Sequence, residues 1–393
     1  MKQHGVRRIA TLVTAASCLL LPGCGDANQP IEPERITQLD VDFTFSQEVP
    51  QTVAVYKAEC MRLQDSQLYQ DLLGGPAAET EVHAQGVTSY SEPDENGRRV
   101  FLDLNDNGNA FGNPYGKEAT GLFTYQLMEN DAYLESKYSQ VGLFCSREKY
   151  ASIQEDEYAS YLFGEEEDLS FATRQEVQDA IIEQFAQWDV TLAPANCYSY
   201  SLEALEQVAA AYEKSEGIAV DFTRQDECYG LSFWQMIDGI PAVDVAWKKG
   251  NTVPRELLGQ KKTSLDVIVN AEGTISMEGK SFLTVGDKQG EIRVIDGETA
   301  LGALDTYYEN MADLENLRVT EGLLMYGAFF PNENEDDLFL QPVWVFTVQY
   351  DKAEEIHDGH SNKTGQTVLL HCTDYMAVNG ETGEVWECAY LSW

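Results

Sequence analysis

The sequence predicts an α+β protein: a mostly antiparallel β region over residues 35–150, then two units in which helices precede an antiparallel meander, residues 173–277 and 290–393. Three observations carry that expectation. Short runs before residue 150 alternate apolar and polar side chains. An acidic break is followed by a helix-capping signature and an apolar stripe at helical spacing. The order of helix and then strands recurs in the C-terminal part.

Taken in order, Asp26 to Glu34, with Asn28, Pro30 and Pro33, reads as a polar tether, residues 24–34. Leu39 to Phe45 alternates strictly, as a half-buried strand does, and Thr52 to Cys60 follows more loosely. Ser66 to Leu73 reads as a short helix ending at Gly74-Gly75-Pro76, and alternation returns around Val82–Tyr90, Arg99–Leu104, Gly121–Leu127 and Tyr133–Tyr138. Asp103-Leu104-Asn105-Asp106-Asn107-Gly108 imitates half of a calcium-binding EF-hand loop. The twelfth position, which must supply a bidentate Glu, is Pro114, so a hairpin turn is expected instead.

Residues 151–172 are acidic and irregular, densest at Glu165-Glu166-Glu167-Asp168, and read as a linker. Thr173-Arg174-Gln175-Glu176 is a capping box. Val177, Ile181, Phe185 and Trp188 follow at helical spacing, and Leu202, Leu205, Val208 and Tyr212 mark a second helix capped by Ser201. The period then switches to two over Glu227–Trp234, Ile240–Trp247, Leu265–Val269 and Thr274–Met277. Leu301, Leu304, Tyr308 and Met311 give the last helix; Leu317–Gly327, Gln341–Tyr350, Thr367–Ala377 and Glu384–Leu391 are the closing strands.

The N-terminus reads as an export signal, residues 1–23. Lys2, Arg7 and Arg8 precede an apolar core from Ile9 to Leu21, too short to span a bilayer. Leu21-Pro22-Gly23-Cys24 resembles a bacterial lipobox, which makes Cys24 the lipidation site and puts the protein outside the cytoplasm, held on the membrane by two acyl chains. Loss of the three signal cations takes the formal charge from −40 to −43. That surface repels phosphate backbones and excludes nucleic acid as a partner.

Outside the signal and the lipidated position the chain has Cys60, Cys145, Cys197, Cys228, Cys372 and Cys388. Six cysteines allow 15 pairings, which sequence alone does not decide; hairpin geometry centred on Gly380 suggests Cys372–Cys388, and proximity Cys197–Cys228 and Cys60–Cys145, with free structural thiols the alternative for each. Chemistry is harder to find. His357, Asp358 and His360, with His371 and Cys372 a strand later, are half of a zinc ligand set and read as a polar loop. Nucleophile-elbow, zincin and phosphate-loop motifs are lacking. A non-catalytic protein with no metal and no cofactor is expected.

Phe233, Gln235, Asp238-Gly239-Ile240-Pro241 and Val243, then Asn270 to Gly273, resemble the pattern of PepSY-type propeptide domains and of the YycH/YycI-type extracytoplasmic regulators of sensor kinases. Leu340 to Phe346, and Tyr375 to Asn379 with Glu381 to Glu384, are similar to the closing strands of such domains, with Asn379-Gly380 where those have Asp-Ala. The chain as a whole also resembles uncharacterised lipoproteins of clostridia and related Firmicutes. The resemblance implies a regulator that binds a protein or peptide partner, restraining a peptidase or modulating a sensor kinase. The alternative is a sugar- or peptide-capturing lipoprotein serving a transporter.

Strand addition is the natural device for such a regulator, and Val243–Trp247 and Val343–Tyr350 are the expected open edges. Trp234, Asp238, Trp247 and Trp344 are the candidate partner-binding residues. The lipid anchor is directly checkable. In cells fed a labelled fatty acid, Cys24→Ser should lose the label and move the protein from the membrane fraction to the medium.

Overall fold

In the computed structural model, residues 39–61, 67–83, 86–105, 122–143, 164, 166–248, 253–254, 265–279, 282–309, 311, 314–330, 338–357, 363–386 and 388–389 are described. Strands are numbered β1–β19 and helices α1–α5 in chain order. Seventeen strands join one mixed sheet, while β11 (Val253–Pro254) and β19 (Cys388–Ala389) form a separate short pair.

The first part of the sheet is antiparallel. Its spatial order is β3 (Glu79–His83), β4 (Gly86–Tyr90), β5 (Arg98–Asn105), β6 (Leu122–Glu129), β13 (Gly273–Gly279), β12 (Leu265–Asn270), β9 (Cys228–Ile237) and β8 (Leu192–Tyr200). Alternation along β9 divides its side chains between two cores. Tyr229, Leu231 and Phe233 pack with Val177, Ile181 and Phe185 of α3 (Arg174–Ala186) and with Leu68, Leu72 and Leu73 of α1 (Gln67–Leu73). Cys228 points the other way, with Tyr198 and Tyr200, toward Leu205 and Val208 of α4 (Leu202–Glu216) and Tyr138 of α2 (Ser136–Gln140).

The helix ends are where the local signals put them. Thr173 and Glu176 close a reciprocal capping box on α3. The Ser201 side chain accepts from Ala204 N, and α4 ends on Gly217 at φ 71°, a left-handed position where a Cβ would be strained. Each fully buried apolar side chain contributes roughly 1.5–3 kcal/mol, more than a cap supplies, so burial of the Val177–Ile181–Phe185 stripe is what fixes α3 on the sheet.

The second part is built on three long antiparallel strands, β15 (Leu314–Phe330), β16 (Leu338–His357) and β17 (Lys363–Asn379). β2 (Thr52–Cys60) pairs with the start of β16 and with β14 (Leu283–Arg293). On the outer side of β15, β1 (Asp40–Val41) and β10 (Ile240–Lys248) run parallel to it. One face carries α5 (Gly297–Tyr308), whose Leu301, Leu304 and Tyr308 cluster with Trp344, Phe346 and Met376.

The parts meet at β9 and β10. Three residue pairs, Ile237 with Ile240, Met236 with Pro241 and Gln235 with Ala242, flank an Asp238-Gly239 turn with φ of 49° and 76°, both positive as a type I′ hairpin requires. Among the described residues this is the one strand ladder joining the two parts. Beside it, the buried Gln235 amide donates from Nε2 to Leu283 O at 2.7 Å and accepts from Leu283 N at 2.9 Å, fastening β9 to the start of β14.

This sheet corrects the expected fold class. The protein is sheet-dominated and mixed, rather than a β region followed by two helix-and-meander units. β6 pairs with β13 and β2 pairs with β14 and β16, so strands far apart in sequence share one sheet, and the chain from Thr37 onward is one compact unit. Alternation tells which face a side chain takes. It does not tell which strand lies alongside.

Register also corrects the disulfides. Cys197 lies opposite Leu231 and Cys228 opposite Tyr200, which sends the two sulfurs to opposite faces of the sheet, and they are not joined. Cys372 forms no disulfide either. Val378 pairs with Val385 of β18 (Val385–Trp386), so the turn centres between Glu381 and Thr382 rather than at Gly380, carrying the position opposite Cys372 past Cys388. The Cys60 side chain and Cys145 lie outside the described residues.

Replacing Gln235 by Ala strands two buried backbone groups of Leu283. The expected cost is about 2–4 kcal/mol in urea unfolding. A loss below about 0.5 kcal/mol, the level of an ordinary surface substitution, would deny the clamp its role.

Candidate functional site

The residues proposed from the sequence divide between scaffold and surface. Trp344 is 1% exposed. Its Nε1 donates to Ile295 O at 3.0 Å, and its ring lies 5.3 Å from Phe45 and 6.3 Å from Phe346, so it is core and no contact for a partner. Trp234 is half-buried on the second face of the long strands, packed with Val243, Met325, Val343 and Val345, and its indole N–H is buried without a partner. Asp238 is exposed in the turn and accepts a short hydrogen bond from Tyr56 Oη. Trp247 lies opposite Phe329 in the β10–β15 ladder; its side chain is outside the described residues.

Of the expected open edges, Val343 to Tyr350 is interior, between β15 and β17, whereas Ala246 to Lys248 pair on one side with Ala328 to Phe330 and β9 reaches only Ile240 to Ala242 on the other. As β3 is at the other end of the antiparallel series, β8 is an open edge, its one partner among the described strands being β9.

Along that edge runs a cleft of about 640 Å³, walled by Arg174, Gln175 and Gln178 of α3, by Pro194 to Tyr198 of β8, and by Glu166 and Asp168. It is within the usual range for a ligand site. The apolar stripe of α3 faces the sheet, so its polar positions 174, 175 and 178 are left to line the opening. Pro194 lacks an N–H, and a register shift between Pro194 and Asn196 bends the strand there; both features keep a bare edge from pairing indiscriminately.

The hydrogen-bonding inventory limits what the cleft can hold. The capping box uses Thr173 N and Glu176 N, and Arg174 N donates to Asp168 Oδ1 at 2.9 Å, so the helix terminus has few donors to offer an anion. The Arg174 guanidinium contacts Glu166 at 3.9 Å and donates weakly to Cys197 O at 3.5 Å. With two carboxylates facing one guanidinium, the cleft suits a neutral or basic occupant. The Arg174 contact also brings the Cys197 carbonyl to the cleft side of the strand.

Cys197 is no nucleophile. Burial pushes its thiol up to about 12, a shift that nearby Arg174 only partly opposes. Among the described residues no group of three or more His, Cys, Asp or Glu side chains is disposed to hold a metal ion. His357 closes β16 opposite Lys363, whereas Asp358, His360 and the His371 side chain lie outside the described residues. Asp103 belongs to β5 and accepts from Thr88 at 2.6 Å and pairs with His83 at 3.1 Å; Asp106 to Gly108 lie outside the described residues.

Arg174, Gln178 and Asn196 were hidden from sequence reasoning. The capping signature locates Arg174 at a helix start, but that β8 is an edge depends on pairings remote in sequence.

No protein-family model matches the chain, and no curated protein matches it. The fold is similar to the crystal structure of an uncharacterized protein from Eubacterium rectale, with 14% sequence identity and a TM-score of 0.53 over 89% of this chain and 90% of that one. The likeness is one of fold.

Thiol reactivity checks the assignment of Cys197. Its raised pKa leaves it roughly a thousandfold poorer in thiolate than an unperturbed cysteine. Iodoacetamide at pH 8 should therefore leave Cys197 unmodified in the folded protein and label it rapidly in denaturant; rapid native labelling would mean that the thiol is exposed and activated.

Proposed function

We propose that the protein is lipid-anchored outside the cytoplasm through Cys24 and binds an extended protein or peptide segment along β8, without catalysing a reaction. The observation that carries this reading is the combination of an open strand edge with a cleft beside it. A segment lying there can exchange backbone hydrogen bonds with β8 while its alternate side chains meet Arg174, Gln178 and Asn196.

The polarity of the lining supports recognition rather than chemistry. The one thiol in the cleft is held protonated, and the one guanidinium is already engaged by Glu166 and Cys197 O. Mostly antiparallel pairing also favours this reading over a transporter receptor, which would be built from two doubly wound βαβ lobes.

Filling the cleft tests the proposal. Residues 25–393 on beads are exposed to solubilised membranes and secreted proteins of the source cell, beside a Gln178→Trp variant of equal thermal stability. Proteins retained by the natural sequence should fall at least about tenfold with the variant, the loss expected when a well-packed contact of some 1.4 kcal/mol is removed. Equal recovery would remove the cleft from the function.

A further inference from the structure

We infer that the outer face of β4, β5 and β6, together with β7 (Ala132–Tyr133), docks a Lys- or Arg-bearing segment of a partner protein. This goes beyond the β8 reading and rests on different strands. Two cross-strand ladders define the face. One runs Glu79–Tyr90–Phe101–Gln126–Ser276, and the other runs Glu81–Thr88–Asp103–Thr124–Glu278. Arg99, Met128 and Tyr133 form a third row beside them. The inner side of the same strands supplies Leu102, Leu104 and Phe123 to the core beneath α1 and α3; on the outer side Glu79 and Glu81 are exposed and Tyr90, Phe101 and Asp103 half-buried, while Thr88 and Met128 are buried and Gln126 donates to Glu135.

The face joins aromatic rings to carboxylates. Phe101 lies edge-on to Tyr90 at 5.6 Å and to Tyr133 at 5.3 Å, and Tyr133 is 36% exposed. Glu79, Glu81 and Asp103 lie in the same or the next row, while Arg99 is the basic residue of these rows and His83, opposite Gly86, pairs with Asp103. Rings are attracted to cations through their quadrupole, and carboxylates through charge.

The protein already displays the recognition with its own side chain. The Arg99 guanidinium sits 4.6 Å from the Tyr90 centroid, 2.6 Å from Asp131 and 3.8 Å from Glu79. Burial, then the charge of Glu81, holds the Tyr90 phenol above its ordinary range, with Arg99 acting the other way. Phe101, Tyr133, Glu81 and Asp103 extend the same chemistry along the ladder beyond Arg99. A basic segment crossing the strands would meet the rings of Tyr90 and Phe101 in one row and the carboxylates of Glu81 and Asp103 in the next.

The test must separate this face from the negative charge of the whole molecule. Fluorescence anisotropy of a labelled peptide alternating Lys and Ser is compared with its Glu–Ser counterpart on the full mature chain. Phe101→Thr with Tyr133→Ser leaves the charge unchanged and should weaken Lys-peptide binding about tenfold, as expected for two lost cation–π contacts. Glu79→Gln with Glu81→Gln should weaken it likewise. Glu213→Gln with Glu216→Gln, the same charge change on exposed α4, should leave it within twofold of the natural sequence. If the double aromatic variant loses folded signal by circular dichroism, Tyr133→Ser alone replaces it, and about threefold weakening is expected. Undiminished binding by the aromatic variant, an equal loss in the α4 control, or equal binding of the Glu peptide would each overturn the assignment.

Discussion

The ladder between β9 and β10 is the constraint on which the rest depends. β9 gives one edge to β8 and shares the other, first with β12 and then with β10, so a single strand belongs to both parts of the sheet. Such a strand has no free edge, and over Cys228 to Phe233 neither face is wetted, which its sequence reflects. Cys228 to Phe233 are all buried, and the two polar side chains among the buried residues of β9 each have a partner: Ser232 donates to Asp266 at 2.7 Å, and Gln235 holds Leu283 at both ends of its amide. An unpaired polar group at either position would cost more than the bond itself contributes.

The candidate sites follow from the same arrangement. Because β9 is interior, β8 becomes an edge, and because α3 spends its apolar stripe on the sheet, its polar side walls the opening. The cleft offers the backbone of β8 and the amides of Gln175, Gln178 and Asn196, groups suited to recognition. The outer face of β4–β7 differs in kind: it is aromatic and acidic, and its selectivity would come from charge and ring contacts rather than from backbone pairing.

Local structure was legible in the sequence to the extent that it is decided locally. The capping box at Thr173, the cap at Ser201 and the Asp238-Gly239 turn were readable because each is settled within a few residues. The stretch from Ser232 to Asp244 resembled a functional motif, yet Phe233 is core, Gln235 is a backbone clamp and Asp238-Gly239 is a turn. Asn379 holds the turn before β18, its Oδ1 accepting from Glu381 N and Thr382 N, both at 2.9 Å. What failed was non-local. A three-residue error in register misplaced Cys388 relative to Cys372, an unforeseen pairing made Val343–Tyr350 interior, and the aromatic character of Trp344 said nothing about which side of a sheet it would occupy.

Hydrogen exchange under increasing denaturant, read by mass spectrometry on peptides from β12 and from β16, tests the coupling through β9 most directly. If β9 and β10 join the two parts into one cooperative unit, both strands should open with the same free energy and the same denaturant dependence. Opening of one several kcal/mol below the other would contradict it and make the two parts of the sheet independent folding units.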